Sequence, residues 1–268
     1  MGGRGATSSV SRGGKSTILK NVSNLMNNNQ NLQSNTNNAP DNGVPVVKGA
    51  LTGLTQMSDD QLAQLYQASK NVDMPNHLSD ADDMTQKFVY TAGLNEKPQV
   101  LDKAQFDKYL KDNNIPQSDV LARTSGSASY NVNGTNIKLT PDQTLQLIKD
   151  GSLNYIGGKH GGQVYGAGTY FDQNGGRPTG YGGSNSATMI ATLSKSAKPI
   201  SIGQLQAQTQ SWVKSHPKFA SAVGSFNRKN ASIYALAQGY NVIKSGTGKG
   251  EYHNVIDRSA LVVRKENY

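Results

Sequence analysis

The apolar positions of this chain fall into two textures. Between residues 58 and 116 they recur at helical spacing. SDDQLAQLYQASK (58–70) opens on Ser58, a residue suited to accept from the first free backbone N–H groups, and sets Leu62, Leu65 and Tyr66 on one face. DADDMTQKFVYTAG (80–93) predicts a second helix ending near Gly93. KAQFDKYLKDNNIP (103–116) predicts a third, with Phe106, Tyr109 and Leu110 spaced for burial and Pro116 beyond its end. The carboxylates of this stretch read as caps and solvated helix faces. Residues 46–118 are therefore expected to form a small helical region.

From residue 119 the pattern shortens. DVLARTSGSASYNV (119–132) is strand-like and rich in turns. TPDQTLQLIKDGSL (140–153) predicts a helix with Thr140 as N-cap, Pro141 in its first position and Gly151 as C-cap. VYGAGTYFD (164–172) reads as a short strand broken by glycines, and SATMIATL (186–193) fits a helix. Then come a strand at AKPISI (197–202) and a helix at GQLQAQTQSWVKSH (203–216), with Trp212 in its core face. SIYALAQGY (232–240) is a helix ended by Gly239, and NVIKSG (241–246) and NVIDRSALVV (254–263) are closing strands. Short strands mixed with short helices, without regular βαβ alternation, predict an α+β fold rather than a doubly wound sheet.

Composition adds an arm and removes several chemistries. Residues 1–14 are rich in Gly, Ser and Arg, and residues 21–42 in Asn. Such a segment buries too little apolar surface to offset the entropy of ordering, so residues 1–45 are expected to be a disordered basic arm. Within it RGGKST invites comparison with a Walker A loop, but Ser9 stands where that loop needs its first glycine. The net charge of +9 favours anionic partners, although no run of four or more Lys or Arg occurs. With no cysteine in the chain, disulfides, thiolate catalysis and Cys-ligated zinc are excluded. His77, His160, His216 and His253 are far apart, so no metal site is expected. No apolar window is long enough for a membrane helix, and Arg4, Arg12 and Lys15 have no apolar segment behind them, so neither a span nor a secretory signal is expected.

The densest glycine stretch is QVYGAGTYFDQNGGRPTGYGG (163–183). A dinucleotide fingerprint would need a third glycine where Phe171 sits, then a helix, then an acidic residue some twenty positions on. None of these follows Gly166 and Gly168.

The GAGTYF motif (166–171), with Tyr170 and Tyr181 eleven residues apart, resembles the ADP-ribosyltransferase fold in its poly(ADP-ribose) polymerase and diphtheria-toxin-like branch. VLARTSG (120–126) resembles the first core strand of that family, and ALAQGYNVIK (235–244) with GEYHNVIDRSALVV (250–263) resembles its ending. The likeness covers residues 119–264, so residues 119–268 are expected to form an ADP-ribosyltransferase-like domain, a split mixed β-sheet with flanking helices.

The resemblance implies NAD as substrate. It implies that Tyr170 and Tyr181 sandwich the nicotinamide ring, that Gly166 and Gly168 let the backbone approach the dinucleotide, and that Arg123 anchors a ribose or phosphate. It offers Glu251 as the catalytic carboxylate that steadies an oxocarbenium-like sugar. Counting back from Asp257 instead brings Tyr252 or Asn254 to that position, and Glu251 takes it only with a one-residue bulge. Lys249, two residues before Glu251, stands where arginine-modifying members carry Gln or Glu.

MGGRGA, the Asn-rich spacer and MPNHLSDADDMTQKFVYTAGLNEKPQVL are similar to phage proteins that travel with head and packaging genes. That likeness implies action in the host bacterial cytoplasm or carriage in the virion. The acceptor would be a host or virion protein, and the basic arm would suit an acidic surface or DNA. Two readings stay open: an NAD-dependent ADP-ribosyltransferase, or a catalytically silent fold with a structural or interaction role in the phage head.

Overall fold

The computed structural model describes residues 51–72, 84–94, 97–126, 128–132, 135–149, 168–177, 186–247 and 250–265. Among them are eight α-helices and a mixed eight-stranded sheet, an α+β architecture as the pattern predicts. The N-terminal arm, Gly151, Gly166, Tyr181 and Lys249 lie outside the described residues.

The predicted helices form where their caps and apolar stripes indicate. Helix α1 (Leu51–Thr55) precedes α2 (Asp59–Lys70), where Ser58 and Gln61 close a reciprocal capping box and bury Leu62, Leu65 and Tyr66. α3 (Met84–Thr91) buries Phe88 and Val89. α4 (Lys103–Asp112) is boxed by Asp102 and Gln105 and buries Phe106 and Leu110. Helix α5 (Pro141–Lys149) has Pro141 in its first turn, and α6 (Ile202–Ser215) is boxed by Ser201 and Gln204. α7 (Pro217–Val223) follows at once, and α8 (Ala231–Ala237) is buried along its whole length. Helices α1–α3 and α6–α8 share one apolar core, in which Phe219, Tyr234, Trp212, Phe88 and Tyr66 meet ring to ring.

The strands are β1 (Gln99–Leu101), β2 (Leu121–Gly126), β3 (Ala128–Val132), β4 (Thr135–Leu139), β5 (Thr169–Gln173), β6 (Ser186–Leu193), β7 (Pro199–Ser201), β8 (Val242–Thr247), β9 (Gly250–Val255) and β10 (Leu261–Arg264). β3 and β4 form a separate antiparallel pair. The large sheet has the order β1-β10-β6-β2-β5-β9-β8-β7, parallel at both edges and antiparallel between.

Two expectations change here. SATMIATL is β6, a strand and not a helix. It pairs with β10 on one side and β2 on the other, so Ala187, Met189 and Ala191 are buried on one face and Ile190 and Thr192 on the other. A central strand buried on both faces is apolar throughout, which periodicity cannot tell from a buried helix. NVIDRSALVV is not one strand either. Asp257 accepts from Ser259 N and Oγ, and a 3₁₀ turn at Arg258–Ala260 separates β9 from β10.

The sheet is sharply bent. β2 and β5 share only two register pairs, Leu121 with Gln173 and Ala122 with Asp172. On a flat sheet Val255 and Leu261 would stand four strand spacings and six rungs apart, about 27 Å. Six residue steps reach at most about 21 Å, and the 3₁₀ turn shortens that. The fold must therefore bend at its weakest junction, β2–β5. The connections that cross between the halves are tied together as a result: Ser196, between β6 and β7, donates from Oγ to Ser259 O at 3.0 Å and accepts at its backbone O from Asn241 Nδ2, just before β8, at 3.4 Å. One face of the first half (Ala122, Ile190, Val262) packs on α4, while Ile200 and Ile243 of the second half join the large helical core.

Candidate functional site: the opening between β2 and β5

Beyond Ala122 and Asp172 the two strands part. Residues 123–126 pair only with β6, and residues 169–171 only with β9. Where the ladder stops, Arg123 supplies a bridge from its side chain, with the guanidinium Nη1 donating to Tyr170 O at 2.9 Å. Arg123 and Tyr170, the two residues singled out on separate motifs 47 positions apart, therefore meet at this opening. Both are partly buried.

The register fixes which side chains share a face, because successive residues alternate. Tyr170 pairs with Asn254 on β9, and Phe171 with His253. Tyr170 and Asn254 thus lie on one face, while Phe171, His253 and Glu251 lie on the other. Arg123, odd-numbered like Leu121 and two positions from it, belongs to the face of Glu251, since Leu121, Gln173 and Glu251 stand in one cross-strand row.

β9 pairs without interruption from Gly250 to Thr247 through Val255 to Val242, so no bulge lies within it. The bulge that would move Glu251 into the family's catalytic position is absent from this strand. Glu251 sits three residues from Asn254, about 10 Å along the strand. Its side chain is 40% exposed and faces Lys244 Nζ at 3.6 Å.

Gly168 is required by the strand beside it. A Cβ there would come within 1.8 Å of Asn254 Oδ1 and 2.9 Å of Val255 O, so a neighbouring strand already occupies the space a side chain needs. Asn254 is itself held from α8, donating from Nδ2 to Ser232 Oγ at 3.2 Å.

Two polar residues here were not picked out from the sequence as site members: Ser125 and His253. Ser125 and His253 are buried, and neither Ser125 Oγ nor His253 Nδ1 has a hydrogen-bond partner. Burial, and secondarily the charge of Lys244, lower the His253 pKa from 6.5 to about 4, so the ring is neutral near pH 7. For His253 the only signal in the sequence was the run of polar residues EYHN that leads into the strand predicted from Asn254.

Among the described residues no group of three or more His, Asp or Glu could hold a metal ion, and no helix is long and apolar enough to cross a membrane. Compared with known families, curated proteins and solved structures, the chain matches none of them.

Proposed function

We propose that the chain is an NAD-dependent ADP-ribosyltransferase of phage origin, transferring ADP-ribose to a host or virion macromolecule in the bacterial cytoplasm. One observation carries this reading. The three motif strands β2, β5 and β9 lie side by side, and the Arg123 guanidinium crosses the gap between the first two to reach Tyr170 O at 2.9 Å. On this reading the nicotinamide ring stacks on Tyr170, with Tyr181 as its second face, and Arg123 meets a phosphate or the adenosine-side ribose. The bond from ribose to nicotinamide breaks with its electron pair leaving on the ring nitrogen. The acceptor's nucleophile forms the new bond to the same carbon and gives up its proton. Glu251, on the face of Arg123, is the carboxylate offered to the developing cation.

A specific observation favours a second reading, the catalytically silent fold. Glu251 and Tyr170 lie on opposite faces of the sheet, and Lys244 stands 3.6 Å from the carboxylate. Labelled NAD incubated with the full chain and bacterial lysate decides between them. Label transfer lost in Arg123→Ala, Tyr170→Ala and Glu251→Ala supports the transferase. Transfer that survives Glu251→Ala removes that residue from the chemistry. No transfer and no NAD hydrolysis by the wild-type chain leaves the silent reading.

A further inference from the structure

A second region of the molecule has chemistry of its own. A cavity of about 810 Å³ lies where the two edges of the bent sheet converge, lined by Gln99 of β1 and by Lys198 beside β7. Its volume is that of a small-molecule site. None of the residues named at the β2–β5 opening lines it.

The floor is rigidly built. Ser194 and Ser196, just after β6, both donate from Oγ to Ser259 O, at 2.9 and 3.0 Å. Asp257, buried at 4% exposure, accepts from Ser259 N and Oγ. Asn241 Oδ1 takes the Lys198 backbone N–H at 2.7 Å. These bonds pin the backbone that carries Lys195 and Lys198, so binding there costs little loop ordering.

The rim is positively charged. Lys97, Lys195 and Lys198 all line the cavity and are exposed, and none is in an ion pair among the described residues. The one carboxylate in the lining is Asp257, already met by two donors. Three ammonium groups gathered around one cavity repel one another, and a multiply charged anion relieves that repulsion. Lysine acts on phosphate as a point charge, without the planar fork that carboxylates favour. Leu51 and Tyr109, also in the lining, offer an apolar rest for an organic body.

We propose that this cavity binds a small phosphorylated molecule of nucleotide size, its phosphates held by Lys97, Lys195 and Lys198. The volume suits one such molecule and not a nucleic-acid strand, which needs a continuous basic track.

Calorimetric titration of the full chain with ADP, inorganic pyrophosphate and adenosine tests this. ADP and pyrophosphate are expected to bind, and adenosine at least about tenfold more weakly. The double reversal Lys195→Glu, Lys198→Glu is expected to weaken ADP by about tenfold or more. Lys195→Gln, Lys198→Gln gives the same reading should the reversal disturb folding. Lys214→Gln, Lys229→Gln, two exposed lysines outside both regions, is expected to leave ADP affinity unchanged, which separates this cavity from a general effect of net charge. Adenosine binding as tightly as ADP, no binding of either anion, or an ADP affinity lost with Arg123 and kept without the lysines would each overturn the proposal. An oligonucleotide that outcompetes ADP would overturn it in favour of a nucleic-acid surface.

Discussion

His253 lies across from Phe171 on β5 and Lys244 on β8, with Glu251 the other ionisable group on its face of β9. Its folded pKa is lowered from 6.5 to about 4, chiefly by burial. Between those values the unfolded chain binds a proton that the folded chain does not, so stability falls as pH drops through that window. The loss reaches about 3 kcal/mol. Urea unfolding at pH 7.5, 5.5 and 4.0 should show it, and His253→Gln should flatten the acid limb. Equal losses in wild type and variant would place the acid sensitivity elsewhere. Gly168 makes a second residue-scale prediction. Gly168→Ala drives a methyl group to 1.8 Å from Asn254 Oδ1 and should cost about 1–3 kcal/mol. In a double-mutant cycle Asn254→Ala should return part of that cost, because the two changes share one clash. Arg123 and Tyr170 were legible in the sequence as motif residues. The need for Gly168 was not, because the atom that requires it belongs to a residue 86 positions later. Nor did any local pattern show that His253 would be buried, since its neighbours in EYHN are polar.

At the scale of elements, what the sequence disclosed depended on whether the cause was local. Capping boxes at Ser58, Asp102 and Ser201 are written within four residues, and those helices form where predicted. β6 was misread because burial on both faces comes from its neighbours β10 and β2, which lie far away in sequence. α7 was not predicted either, and its start is completed from a distant helix. Asp59, in the first turn of α2, accepts from Lys218 N at 2.9 Å and from Phe219 N at 2.8 Å, so its carboxylate caps α7 from across the core. Without it two N–H groups at a positive helix end lose their acceptor. Asp59→Ala should therefore destabilise the protein by about 1–2 kcal/mol in urea unfolding. Asp60→Ala breaks only the exposed Asp60–Lys218 pair and should leave stability nearly unchanged. If the two variants lose stability equally, the cap is not what Asp59 contributes.

For the whole molecule, the decisive feature is the two-rung junction of β2 and β5, and hydrophobic patterning carries no trace of it. Pattern gives the strands and their faces; it does not say how many rungs two strands share or that a sheet bends between them. The bend opens the gap that Arg123 crosses, and it also brings opposite edges of an eight-stranded sheet to one basic cavity. Both candidate regions thus follow from one topological event, and the net charge of +9 has a local expression at the second. The bend can be measured directly because the chain has no cysteine to interfere. Gln99 on β1 and Pro199 on β7 are exposed, on strands at opposite ends of the sheet order. Nitroxide labels on Gln99→Cys, Pro199→Cys would stand about 33 Å apart across seven strand spacings of a flat sheet. With both edges at one cavity of small-molecule size, the separation should instead fall under about 20 Å. A distribution centred near the flat-sheet value would mean that the halves do not close on each other, and the shared cavity would go with them. Adding ADP to the labelled chain should narrow a short-distance distribution, because a phosphate held by Lys97 on one side and Lys198 on the other ties the two edges together.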